Sequence, residues 1–247
     1  MYQRMGVLYF AVSLFALLIS FQANAGLRIE QSRIIWSAEQ TQKSIILTND
    51  SQEIYLIQTG VFDSPTGTKE TQFFTVIPPL YRLNSNSQQS MRLLLQDSIN
   101  SLPKDRESIF YFSTIAIPGS TPESKNTDSA QLSIGTRLVI KLFYRPIEFT
   151  QSPENAISNL NFSSLRDGLC LNNESPYFIT LSNLKIQDKT LSNLAGMMIP
   201  PYSQQKIALP QVITSNTKIE WQAINDFGGD THIYSTSIIP SKADICQ

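Results

Sequence analysis

Short runs of Ile, Val, Leu, Phe, Tyr and Thr recur along the chain at intervals of roughly ten residues, separated by clusters of Asn, Ser, Asp, Gly and Pro. Alternation with a period of two puts successive side chains on opposite faces of a strand, and this spacing of strands and turns predicts β-sandwiches. The first series of predicted strands covers 27–36, 43–47, 54–62, 73–77, 91–95, 108–117 and 132–144, which suits one seven-stranded immunoglobulin-like unit. A second series, 160–162, 169–171, 177–184, 205–209, 218–223 and 232–239, predicts a second, smaller sandwich. No segment carries sustained helical periodicity, so the chain reads as all-β. The run from Ala130 to Pro146 is the longest strand pattern. It offers more edge than one small sandwich uses, and is therefore suited to pairing with another polypeptide.

Arg145-Pro146 and the polar segment 150–154 separate the two series and read as the linker, because proline removes a ladder donor and ends strand pairing. The expected domains are 26–146 and 147–247. Residues 118–129 are polar and turn-rich, a loop leading into the long strand. The first 25 residues combine Arg4, an apolar run over 6–21 and the small-residue pattern Ala23-Asn24-Ala25, which predicts a secretory signal peptide cleaved before Gly26. A soluble, exported mature protein is expected, with no later segment apolar enough to enter a membrane.

Composition narrows the function classes. Nineteen basic residues stand against twenty acidic ones, so a nucleic-acid partner is not expected. The only cysteines are Cys170 and Cys246, a pair that in an exported chain favours one disulfide and matches no metal motif. His232 is the single histidine, no nucleophile elbow is present and acidic residues are scattered singly, so neither catalysis nor a cofactor is expected. Gly228-Gly229 reads as a turn, since no helix pattern follows it. Trp36 and Trp221 lie among apolar neighbours and are expected in the cores.

Three motifs in order, Leu102-Pro-Lys-Asp-Arg-Glu-Ser108, Ile140-Lys-Leu-Phe-Tyr-Arg-Pro146 and Ile224-Asn-Asp-Phe-Gly-Gly229, resemble the periplasmic pilus chaperones of the chaperone-usher system, the PapD-like family. Supporting segments are Ser32-Arg-Ile-Ile-Trp36, Val76-Ile-Pro-Pro-Leu-Tyr-Arg82, Ser175-Pro-Tyr-Phe-Ile-Thr-Leu-Ser182 and Met198-Ile-Pro-Pro-Tyr-Ser203, which together span the mature chain. The resemblance implies two immunoglobulin-like β-sandwich domains arranged in an L, and a periplasmic, ATP-independent chaperone. Its implied partners are pilus or fimbrial subunits and an outer-membrane usher. The implied mechanism is donor-strand complementation, in which the long strand fills a groove left open in the subunit.

Residue by residue, the resemblance places Ala130, Leu132, Ile134 and Thr136 in the donor strand, where they share one face by the two-residue period. Thr136 stands where the family usually keeps a large apolar residue, which implies a shallower pocket in the partner. Arg33, expected on the face of Leu27, Ile29 and Ile35, and Lys141 match the cations that hold the subunit's C-terminal carboxylate. Glu107, Arg145 and Asp226 match an interdomain ion network, and Pro78-Pro79 lies where the family tends to carry a cis proline. With both cysteines after the linker and a moderate 118–129 loop, the short-loop branch is implied. The exposed strand leaves self-association open. The rival reading, a structural or adhesive fimbrial subunit, would require a free N-terminal donor extension and one incomplete sandwich; here Gly26 leads at once into Leu27 and two strand series follow.

Overall fold

A computed structural model of the chain describes residues 26–119, 134–146, 149–187, 189–209, 213, 216–240 and 246. The first sandwich is built from β1 (Leu27–Ile29), β2 (Arg33–Ser37), β3 (Gln42–Asn49), β4 (Tyr55–Phe62), β5 (Phe74–Ile77), β6 (Leu80–Leu83), β7 (Ser87–Leu95), β8 (Ser108–Pro118) and β9 (Thr136–Arg145). One sheet runs β1-β3-β7-β5 and the other β2-β9-β8-β4-β6. Alternation supplies the filling between them: Val76, Met91 and Leu93 come from one inner face, and Ile34, Trp36, Phe112 and Leu142 from the other. Trp36 is fully buried and meets the Phe74 ring edge-on at 5.4 Å.

The strand expected over 27–36 is two strands in different sheets. β1 pairs antiparallel with β3, whereas β2 pairs parallel with β9. The polar triplet Glu30-Gln31-Ser32 interrupts the alternation, and the chain crosses to the opposite sheet there. Crossing reverses the parity that faces the core: Leu27 and Ile29 pack inward from one side, Ile34 and Trp36 from the other. Arg33 therefore does not share a face with Leu27 and Ile29, and stands with Ile35 on the outer face of its sheet. A ninth element absent from the expected series, β6, follows the proline pair directly; the cis bond is Ile77–Pro78.

The second sandwich contains β10 (Asn161–Leu165), β11 (Gly168–Asn173), β12 (Ile179–Ile186), β13 (Lys189–Thr190), β14 (Met198–Ile199), β15 (Ser203–Ala208), β16 (Lys218–Ala223), β17 (Tyr234–Ser237) and β18 (Ile239–Pro240). Its sheets run β15-β11-β10-β18 and β13-β12-β16-β17, with β14 added to β12. Trp221 sits at the centre, 4.9 Å from the Phe162 ring. The end of the expected linker is a short helix, α1 (Pro153–Ser158), capped by Ser152, whose Oγ accepts from the Asn155 N–H at 3.2 Å. Six residues are too few for helical periodicity to register, yet Ala156 and Ile157 are buried and the Ile157 carbonyl accepts from Trp221 Nε1 at 3.0 Å. His232, expected in a strand, precedes β17 and lies 4.1 Å from the Tyr234 ring. The Cys170–Cys246 disulfide ties the C-terminal end to β11, with 5.8 Å between the Cα atoms.

The same corner is built once in each sandwich. Asn49 and Asn173 are both buried; the Oδ1 of each accepts from the N–H and Oγ of the serine two residues on, and its Nδ2 donates to the carbonyl four residues on and to a carbonyl distant in sequence. The shared sequence is only Asn-x-Ser, too short to announce a repeat.

Candidate functional site

β9 organises the site. One of its edges pairs with β8 from Thr136 to Tyr144, but the other pairs with β2 only from Lys141 to Arg145. No described strand covers the second edge over Thr136, Arg137, Leu138, Val139 and Ile140, so its main-chain groups face outward unpaired. Leu138, Ile140, Leu142 and Tyr144 turn to the core of the sandwich, and Arg137, Val139, Lys141, Phe143 and Arg145 to the outer face. Thr136 is exposed at the start of the strand, and Ile134 just before it is 73% exposed. Ala130 and Leu132 lie outside the described residues.

The free edge ends at two cations. Arg33 and Lys141 are register partners across β2 and β9. Arg33 Nη1 donates to the Ile224 carbonyl of the second sandwich at 3.1 Å, and the guanidinium lies 5.5 Å above the Phe143 ring. Its Nε is buried without a partner. Among the described residues no carboxylate pairs with Lys141. Burial pushes the Lys141 ammonium below the usual lysine range, and the neighbouring Arg33 charge pushes it further. Burial likewise lowers Arg33, partly offset by Asp226 and Glu107.

Four residues further along, Arg145 is bonded through all three of its guanidinium nitrogens. Its Nε donates to Glu107 Oε1 at 2.6 Å, and Nη1 and Nη2 donate to the two Asp226 oxygens at 2.7 Å each. Glu107 Oε2 accepts from the Phe178 N–H at 2.7 Å, so this buried carboxylate holds both sandwiches. Burial raises Glu107 above the ordinary carboxylate range, opposed by Arg145 and the Phe178 N–H. Burial alone would lower Arg145, but its bonds to Asp226 and Glu107 outweigh this and hold it above its ordinary value. Among the described residues four cations, Arg33, Lys43, Lys141 and Arg145, stand at the site against two carboxylates, Glu107 and Asp226, so positive charge is in excess. The arrangement has the charge and the donors to hold one more carboxylate.

Residues 26–150 match the family described as pili and flagellar-assembly chaperone, PapD N-terminal domain, and residues 155–235 match the pili assembly chaperone PapD, C-terminal domain. The chain belongs to the PapD family of pilus-assembly chaperones. Chaperone protein FimC of Escherichia coli strain K12 is 33% identical over 217 residues, covering 87% of this chain and 86% of FimC. Chaperone protein HifB of Haemophilus influenzae is 32% identical over 232 residues, covering 91% of this chain and 93% of HifB. Among solved structures, the Salmonella enterica SafA pilin in complex with the SafB chaperone matches with a TM-score of 0.73 and 25% identity, over 86% of this chain and 96% of that one.

Several residues that shape the junction of this PapD-family chaperone escape sequence reasoning. Phe143 and Phe178 bring their rings to 5.8 Å across the sandwiches, and Arg145 lies 4.9 Å over the Tyr177 ring. A second brace joins the Glu107 N–H to the Pro176 carbonyl at 2.9 Å and sets Arg106 5.0 Å over the Tyr202 ring. Tyr177, Phe178 and Tyr202 lie inside the motif segments, but nothing local says which side chains face the junction. Lys43 had no sequence signal; its Nζ reaches from the opposite sheet to the Ile35 carbonyl at 2.8 Å and covers the outer edge of β2. At the junction a cavity of about 20 Å³ lies among Arg33, Phe143, Tyr177 and Ile224, and a larger one of about 820 Å³ opens beside it between Glu39, Arg145, Phe149 and Tyr177.

Proposed function

We propose that this chain is a periplasmic, ATP-independent chaperone that captures pilus or fimbrial subunits by lending them the edge of β9, completes and caps their fold, and delivers them to an outer-membrane usher. The observation that carries the reading is the free β9 edge ending at two half-buried cations without a carboxylate partner among the described residues. β2 runs parallel to β9 and occupies the edge from Lys141 onward. A subunit strand laid along the free part in the same direction would be collinear with β2 and would bring its C-terminal carboxylate to Arg33 and Lys141. The reverse direction would bring a positive amino terminus there, which the two cations repel. Main-chain hydrogen bonds then supply affinity and alternate side chains the pocket fit.

In this reading Ala130, Leu132, Ile134 and Thr136 enter the subunit's groove. Their parity continues that of Leu138 and Ile140, which pack on the chaperone's own core, so one apolar face would serve both molecules. Arg145, Glu107 and Asp226 set the two sandwiches at a fixed angle, supported by three charge-assisted hydrogen bonds. The signal peptide is 1–25, and the domains are 26–146 and 147–247; the two separate buried clusters support the division. The function needs no covalent chemistry, so the protein is not an enzyme and uses no cofactor. SafB, a chaperone solved with a pilin, supports the choice of partner.

The test is co-purification from periplasm with candidate subunits. The wild-type chain should carry bound subunit, while Arg33→Ala and Lys141→Ala should fold with an unchanged thermal midpoint and carry none. Undiminished subunit yield with either variant would remove the anchor assignment.

A further inference from the structure

Phe227 is 95% exposed, more than any other described large apolar residue, yet the turn that carries it is held firmly. Asn225 Oδ1 accepts from the N–H groups of Phe227 at 3.0 Å and Gly229 at 3.1 Å, and the Asn225 N–H donates to the Gly229 carbonyl at 2.8 Å. On one side of Phe227, Asp226 is locked to Arg145 by two hydrogen bonds. On the other, Gly228 has φ +86° and lies so close to Ser32 that a Cβ would collide with the serine Oγ. The Ile224 carbonyl just before the turn accepts from Arg33. A lone exposed apolar side chain is ordinary on a protein surface. A phenyl ring held on a rigid turn, between a residue tied to Arg145 and a residue packed against the neighbour of Arg33, is placed at the rim of the carboxylate site.

We propose that Phe227 is a contact for the captured subunit, packing against a large apolar side chain among the last two residues of its terminal strand. This rests on the carboxylate-anchor reading above. Arg33 links the two features, since the same guanidinium that would meet the carboxylate is bonded to the base of the Phe227 turn. In a strand entering along β9, alternation turns one of the last two side chains toward the core side and the other to the outer face shared by Arg33 and Lys141, where the turn stands. Burying the exposed ring against that side chain adds apolar affinity and a preference for the subunit's terminal residue, which a carboxylate grip alone cannot provide.

The test uses the full mature chain and synthetic strand peptides with one alternating Val-Thr body, carrying Phe or Ala at the last or the penultimate position. Each is made as the free acid and as the C-terminal amide. Phe at one of the two positions should bind about tenfold more tightly than Ala. Phe227→Ala should erase that preference while leaving the affinity of the Ala-ended peptide and the thermal midpoint unchanged. Persistence of the preference in Phe227→Ala, or an equal loss for every peptide, would overturn the contact. Amidation separates the two claims: it should weaken all peptides, and if it does so while Phe227→Ala changes nothing, only the contact fails. Equal binding of acid and amide, or no binding of any free acid, overturns the anchor reading and the contact with it.

Discussion

Lys141 and Arg145 stand four residues apart on the same face of β9, both taken substantially out of water, and the molecule treats them in opposite ways. Arg145 makes three charge-assisted hydrogen bonds to two carboxylates, whereas among the described residues the one charge acting on Lys141 is that of another cation, Arg33. Burial works against the charged form of both, so the carboxylates alone account for the opposite directions of their pKa shifts. A cation whose desolvation is compensated within the fold is a brace. One whose desolvation is left uncompensated is costly to the free protein, and that cost is recovered when an anion arrives.

The strongest way to break this contrast is to remove the brace. Arg145→Ala leaves Glu107, only 3% exposed, without its cation, and should lower unfolding stability by about 3–5 kcal/mol in denaturant titration. A midpoint equal to wild type would mean that the network holds nothing. Lys141→Ala should show the reverse pattern, with stability unchanged or slightly higher and capture of a free-acid strand weakened by about 2–3 kcal/mol, measurable by calorimetry. A matching loss of stability would show that Lys141 is a second brace.

Alkaline titration sharpens the comparison further. Because the folded Lys141 pKa is depressed, the unfolded chain holds more protons between that depressed value and the ordinary value of about 10.4, so Lys141 adds stability as pH rises through this window. The proposed carboxylate grip would need the charged amine, so capture should weaken over the same window. Stability and affinity therefore move in opposite directions, and Lys141→Arg, which stays charged, should suppress both trends. Affinity that holds level in the wild type up to the ordinary lysine range would exclude Lys141 from the grip. The smallest effect is expected of Asp226→Asn, which keeps one of the two oxygens that accept from Arg145, at a side chain already 31% exposed. It should cost about 1 kcal/mol or less, and a loss as large as that of Arg145→Ala would shift the weight of the brace from Glu107 to Asp226.

Much of the fold was legible because strand alternation is local: β4, β8 and β16 lie almost where the pattern of apolar residues put them. Legibility failed where a short polar interruption hid a change of sheet. Glu30-Gln31-Ser32 reads as a brief blemish in one strand, yet it sends β1 and β2 to opposite sheets and reverses the face of Arg33. Helix α1 was missed for a different reason: one and a half turns carry no period, and only the Ser152-Pro153 cap marks it. In the site, the motifs identified Glu107, Lys141, Arg145 and Asp226 as residues of interest, but residues that act through a carbonyl, an N–H or a ring, such as Ile224, Phe178 and Phe143, carry no label in a linear sequence.

The sequence by itself determined the all-β class, the two strand series, the buried tryptophans and the family, because each rests on side-chain type and short-range order. Only the tertiary structure decided which cations are satisfied and which are not. Arg145 finds Asp226 across 81 positions of chain, and Arg33 reaches Ile224 across 191, distances over which no local pattern can specify a partner. It also decided where β2 stops covering β9. That boundary leaves five residues of open edge beside two cations without a carboxylate partner among the described residues, because pairing and charge compensation are properties of neighbours in space.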